Sequence, residues 1–199
     1  YEAGSSFKAD GVFGSDDHLF AKAVFFYDDV KDFIAPKAWF EPTTPPTVYY
    51  SSQNVGHVVR KGIELSGTYA AGQFSTSVSY GLLHAVDKET NERMNGITPQ
   101  SANLKLAYAF PAQAINVWYR AHWSKGGESS VEDRATGKNL HFSSFLTHSL
   151  GAEWSPKVAD LANLQAGIAV VNLFDKEYRM LNGSYGSGRG VRLWLSAQF

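Results

Sequence analysis

Val191-Arg192-Leu193-Trp194-Leu195-Ser196-Ala197-Gln198-Phe199 is the stretch whose reading decides the fold. Side chains of an extended strand point alternately to its two faces. Val191, Leu193, Leu195, Ala197 and Phe199 therefore share one face, and Arg192, Ser196 and Gln198 the other, with Trp194 the exception. One such strand fits a soluble sheet as well as a membrane wall. Recurrence separates the two: a transmembrane barrel repeats this alternation in segment after segment, apolar toward lipid and polar toward the lumen.

Working outward, nine segments follow the pattern. The first is Tyr1–Ala9, turned by Ser15-Asp16-Asp17. In Leu19–Asp28, Leu19, Ala21, Ala23, Phe25 and Tyr27 share a face, while Phe20, Val24 and Phe26 interrupt the polar one. A loop rich in Pro, Thr and aromatics is expected from Lys31 to Pro46, then a long extended stretch from Thr47 to Ala70. Phe74, Val78, Tyr80 and Leu82 against Ser75, Ser77 and Ser79 give the cleanest alternation. Ala102–Phe110, Ile115–Ser124, His141–Trp154, Leu164–Leu173 and the terminal stretch complete the set. A Gly-rich loop, Met180–Gly190, reads as a flexible tip.

Connections at 70–73 and 110–113 are short, whereas those at 31–46, 87–98, 125–140 and 176–188 are long. Outer-membrane barrels have short periplasmic turns and long external loops, which orients the chain. Such barrels also have even strand numbers and close without edges, so nine strands are expected to be part of a larger barrel. A secreted β-sandwich or lipocalin-like barrel would instead show loops of similar length at both ends.

Composition agrees. Mean hydropathy is −0.24 and no run of about 18 apolar residues is present. Aromatics make up 14% of the 199 residues, and Tyr and Trp favour membrane interfaces. Formal net charge of −1 gives no electrostatic case for nucleic acid, and zero Cys excludes disulfides and thiolate metal sites. Lys61 tests the orientation, because it shares the lipid-facing parity of Ile63 and Leu65. Each residue climbs about 2.4 Å, so Lys61 lies about 19 Å above an inner girdle at Tyr69, near the outer interface where it can snorkel.

Particular motifs resemble the carboxy-terminal part of TonB-dependent outer-membrane receptors, in consistent order along the whole chain. "YEAG" at Tyr1 is similar to that family's "YExG" strand. "FFYDDVKDFI" follows, then "YYSSQNVGHVVRKGIELSG", similar to its "Y-x-N … G-x-E-L" strand. "VNLFDKEY" (Val171–Tyr178) is the most specific match, ahead of "GRGVRLWLSAQF". The resemblance implies an all-β, antiparallel up-and-down transmembrane β-barrel. This chain, residues 1–199, would be about the last nine of twenty-two strands, without the plug domain. It implies the bacterial outer membrane as location, with lipid, the plug, the remaining strands and the TonB complex as partners. "YDDVKDFI", "GIELSGTY" and "MNGITPQSANLKLAY" look most like receptors for haem, haemoglobin or haemophores. The implied role is active import of an iron-containing ligand, haem or haem from a carrier protein, with a ferric siderophore as the alternative. Haem would be cargo; no intrinsic cofactor is implied.

Catalytic motifs (G-x-S-x-G, H-E-x-x-H, phosphate loop) are absent from the sequence. An outer-membrane lipase or protease would need a nucleophile beside His84 or His122, and a passive porin needs no energy coupling; both are weaker readings. Imidazole is a common haem-iron ligand, so the histidines are candidates. His122 has inward parity near the outer end of its strand, and His84 and His141 also lie toward that rim; their plain reading is as polar rim or lumen residues. His148 falls on the lipid-facing parity, which means a girdle position or a shift of register. Trp39 and Phe40, in the 31–46 loop, could stack on a porphyrin or anchor a protein partner. Inward Lys22, Asp28, Glu64, Lys105, Arg120 and Arg192 are expected to meet the plug or line a solvent path.

Overall fold

The computed structural model describes residues 1–41, 47–54, 56–132, 136–157 and 163–198. The strands are β1 (Glu2–Asp10), β2 (Asp17–Lys31), β3 (Ile34–Glu41), β4 (Thr47–Asn54), β5 (His57–Ala71), β6 (Phe74–Asp87) and β7 (Gln100–Phe110). They continue as β8 (Ile115–Ser124), β9 (Gly127–Glu132), β10 (Asn139–Phe142), β11 (Phe145–Trp154), β12 (Asn163–Val171) and β13 (Gly190–Gln198). Among the described residues, nine strands form one antiparallel sheet in the order β1-β2-β5-β6-β7-β8-β11-β12-β13. Setting aside the hairpins β3–β4 and β9–β10, each strand lies beside its neighbour in sequence, the up-and-down pattern that alternation predicts.

One end of the sheet carries the short turns 71–74 and 110–115, together with 10–17 and 154–163; the other carries the long connections. At the short-turn rim Phe13 meets Tyr69 edge-on (5.8 Å) and Tyr108 leans on Phe110 (4.9 Å), while Phe74 and Trp154 are exposed. Such rings suit a membrane interface. Above them Ile63, Leu65, Val78, Leu150, Ile168, Leu193 and Leu195 are exposed on the outward face. In water this would be an unusual apolar surface; in a bilayer it is the lipid-facing band.

Two parts of the chain depart from expectation. The 31–46 segment is not simply a loop, because β3 pairs with β4, and the stretch 47–70 is broken between β4 and β5. Asp32 (φ 55°) and Gly56 (φ 73°) adopt left-handed conformations facing each other, with Phe33 N–H donating to the Gly56 carbonyl at 3.1 Å. These kinks detach the hairpin from the β2–β5 ladder. Likewise, the 125–139 loop contains β9, which pairs with β10, so His141–Trp154 divides into β10 and β11.

Exceptions to the alternation prove to be inward aromatic packing. Trp118, Ala107 and Ala169 form a buried cluster against Trp194. A Cβ built on Gly151 would overlap the Trp118 indole, one on Gly167 the Trp194 indole, and one on Gly62 the Phe26 ring. Each glycine makes room for a ring from the adjoining strand. The lumen face is thus polar with aromatic patches. The Arg60 guanidinium bonds Asp28 (2.9 Å), and the Arg120 guanidinium lies over Trp118 (5.1 Å).

Candidate functional site

The external mouth is built from three connections that hold one another. Gly96 N–H donates to the Glu128 carbonyl and Ser130 N–H to the Leu181 carbonyl, both at 3.0 Å. The 88–99 loop, the β9–β10 hairpin and the 174–189 loop are tied together in this way.

Asn172 organises the last of these loops. It sits in the left-handed region (φ 48°) and is buried. Its amide donates to the carbonyls of Lys176 (2.9 Å) and Ser187 (3.0 Å) and accepts from Lys176 N–H (2.9 Å). Asp175, also left-handed (φ 52°), accepts from Arg189 N–H at 2.7 Å. "VNLFDKEY" is therefore a latch, and the Gly-rich segment after it is a fastened loop rather than a flexible tip. Buried Asn with its hydrogen bonds satisfied rigidifies the segment it holds.

That latch presents Tyr178 and Arg179. Tyr178 stacks on Phe145 with ring centroids 4.1 Å apart and planes 27° from parallel. The imidazole of His122 lies against the other partner, 5.8 Å from the Phe145 centroid. Arg179 lies 3.8 Å over the Tyr185 ring, is hydrogen-bonded to its hydroxyl, and stands 5.7 Å from Phe142. Phe145 is buried, and Gly186 lies so close on the Tyr178 ring that a Cβ there would overlap it, so this stack is packing that supports the mouth. The mouth thus offers the exposed Tyr185 ring, the Arg179 guanidinium on it and the His122 imidazole.

His122 is oriented by the inner wall. Asn103 donates to Ser79 Oγ at 3.1 Å, so its carbonyl oxygen faces His122 Nδ1 at 2.8 Å. This arrangement assigns the proton to Nδ1 and leaves the Nε2 lone pair for another partner. His122 and Asn103 are register partners across β7–β8, which is why the inward parity holds both.

The other candidates are dispersed. His141 is exposed on β10 and bonds Glu128 at 3.0 Å. His84 pairs in register with Lys61 and shares its outward face, away from His122. Trp39 and Phe40 lie on β3 opposite Tyr49 and Val48, and their side chains fall outside the described residues. His148 faces outward in unbroken register with Ala121, within hydrogen-bond distance of the Tyr119 hydroxyl (2.5 Å) and edge-on to Phe174. No register shift is needed. Among the described residues no group of three or more His, Cys, Asp or Glu could hold a bare metal ion.

Sequence reading missed Phe145, Tyr178 and Arg179. The available signal was the latch itself: Asn and Asp at spacing that favours left-handed turns, followed by an aromatic–cation pair.

A nine-strand antiparallel wall with an apolar outside, aromatic rim and tied external loops defines an outer-membrane barrel. The TonB dependent receptor-like β-barrel family matches residues 1–173, and the chain belongs to it. That family is one of outer-membrane receptors, not of enzymes. In sequence it is similar to heme/hemopexin utilization protein C of Haemophilus influenzae (strain 86-028NP). Identity is 24% over 188 residues, covering 92% of this chain and 26% of that protein, so the chain spans about a quarter of that relative's length. In structure it resembles the copper transporter OprC, with a TM-score of 0.69, 17% identity, and coverage of 98% of this chain and 30% of that one. The ferripyoverdine receptor of Pseudomonas aeruginosa superposes with a TM-score of 0.63, 18% identity, and coverage of 96% and 26%. At these identities the superpositions show a shared fold.

Proposed function

We propose that this chain is the carboxy-terminal wall and part of the ligand surface of an importer for haem, taken free or from a carrier protein such as a haemophore or haemoglobin. The mouth carries the proposal: the exposed Tyr185 ring with the Arg179 guanidinium held on it, and the His122 imidazole, whose Nδ1 faces Asn103 and whose Nε2 is left for another partner, all set against the packed Phe145–Tyr178 stack. Porphyrin is planar and bears carboxylates, so the exposed Tyr185 ring accepts its face and Arg179 its propionates. Porphyrin also supplies four donors to its iron, so a lone His122 can serve where a bare ion would find too few ligands. The haem- and hemopexin-named relative supports the same cargo.

The free edges of β1 and β13 pair with the remaining strands of a twenty-two-stranded barrel, because an open edge has no hydrogen-bond partners in lipid. The plug fills the polar lumen and, moved by TonB, opens the path. Nothing in this chain needs to make or break bonds.

The test is growth. Iron-starved cells lacking their own haem receptors, given the full-length receptor, should grow on haem and require TonB. Growth on a ferric siderophore but not on haem would transfer the role to the siderophore branch.

A further inference from the structure

Lys61 and His84 are register partners on β5 and β6, and Tyr27 flanks Lys61 on β2. Arg93 is bridged to Val86, the next residue on the outward face above His84, so three basic residues stand together on the lipid side of the wall. All three are exposed, and among the described residues none is in an ion pair; Arg93 Nη2 donates to the Leu83 carbonyl at 3.3 Å, which lays its guanidinium along the wall toward His84, and the nearby Asp29 is engaged by His57 at 2.5 Å. Lysine and arginine facing lipid are costly unless they reach the interface or find an anion there.

Below the cluster, four residues down the strands, lies a shallow apolar hollow of about 860 Å³ on the same face. Leu65, Gly67, Tyr80, Ala102, Leu104 and Trp123 are among the residues that line it. Leu65, Tyr80, Ala102 and Trp123 form one continuous register row across β5–β8. At about 2.4 Å per residue the cations stand about 10 Å above that row, the offset between a lipid's headgroup and its upper chain segments.

We propose that this face is a docking site for a phosphorylated, multiply acylated lipid of the outer leaflet, its phosphate held by Lys61, His84 and Arg93 and its acyl chains lying in the hollow. Charge complementarity selects the headgroup, and the hollow beneath selects a lipid over a free anion. The surface lies on the outside of the wall, so the proposal is independent of the cargo carried through the lumen.

The experiment uses the full-length receptor in phosphatidylcholine nanodiscs and measures retention of bisphosphorylated lipid A, of dephosphorylated lipid A and of inorganic phosphate. Wild type should retain the bisphosphorylated lipid preferentially, and excess phosphate should not displace it. Lys61→Gln and Arg93→Gln should each weaken retention about fivefold, the effect of one cation at an anionic lipid surface. Lys61→Arg should retain it. Gly67→Val fills the hollow at little steric cost, since its Cβ would meet the Phe20 carbonyl at 3.4 Å and Val78 Cγ2 at 3.5 Å; it should also weaken retention. Heat-modifiable migration of each variant verifies the barrel. Equal retention of both lipids, undiminished retention in folded Lys61→Gln and Arg93→Gln, or displacement by phosphate would each overturn the proposal.

Discussion

The Trp194 indole lies across Gly167, its register partner on β12, so closely that a β-carbon on that glycine would overlap the ring. The pair closes the inner wall beside Trp118, which covers Gly151 on β11 in the same way. Gly167→Ala should therefore lower stability by about 1–3 kcal/mol, as overpacking does. Gly81→Ala is the matched control, because its Cβ would meet only Ser101 Oγ at 3.7 Å. Urea unfolding of the full-length receptor in detergent should separate the two.

How much of this was legible in the sequence depends on the solvent each residue meets. Leu193 and Leu195 on one side and Ser196 and Gln198 on the other announce a strand between lipid and water, because two solvents impose period 2. The β3–β4 and β9–β10 hairpins stand outside the bilayer, where nothing enforces that alternation, and they read as loops. Trp194 and Phe26 read as exceptions because the glycine that accommodates each ring is on another strand. The Phe145–Tyr178 stack joins segments separated by all of β12 and is silent in local pattern, whereas inward His122 followed from parity alone.

Acid sensitivity should reside in the periplasmic turn. Asp17 is buried below the apolar band and accepts from Val12, Phe13 and Gly14 N–H at 2.7–2.9 Å and from the Tyr69 hydroxyl at 3.1 Å. Burial pushes its pKa up, but these hydrogen bonds outweigh it and hold the carboxyl below its ordinary 3.8. A depressed carboxylate stabilises the fold above its unfolded pKa, and the benefit disappears as pH falls through the lower folded value. Asp17→Asn should lower the melting temperature at neutral pH and should flatten its decline below about pH 4. A variant with an unchanged acid limb would contradict the assignment.

Asn172→Ala should free the 174–189 loop. The substitution removes three hydrogen bonds and leaves a non-glycine residue without side-chain support at φ 48°. The expected cost is about 1–3 kcal/mol, with new proteolytic cleavage between Lys176 and Arg189 on intact cells. Unaltered protection there would show that the latch is redundant.

Depth in the membrane should govern charge tolerance on the outer face. Leu65 lies about 10 Å above Tyr69, near the middle of an apolar band about 25 Å tall, whereas Lys61 lies near its top. Leu65→Lys should cost about 2–4 kcal/mol, and Lys61→Leu close to nothing, in refolding of the full-length receptor into lipid vesicles. Equal costs at the two depths would contradict the orientation.

The most direct measurement is a haem titration of the full-length receptor in detergent, followed at the Soret band, with wild type and the variants Tyr185→Ala, His122→Ala and Trp39→Ala/Phe40→Ala. The account predicts a saturable shift, with affinity reduced about threefold to tenfold by loss of the Tyr185 ring. It also predicts an altered band position in His122→Ala. An absent shift, or one in which both Tyr185→Ala and His122→Ala match wild type, would contradict the proposed mouth.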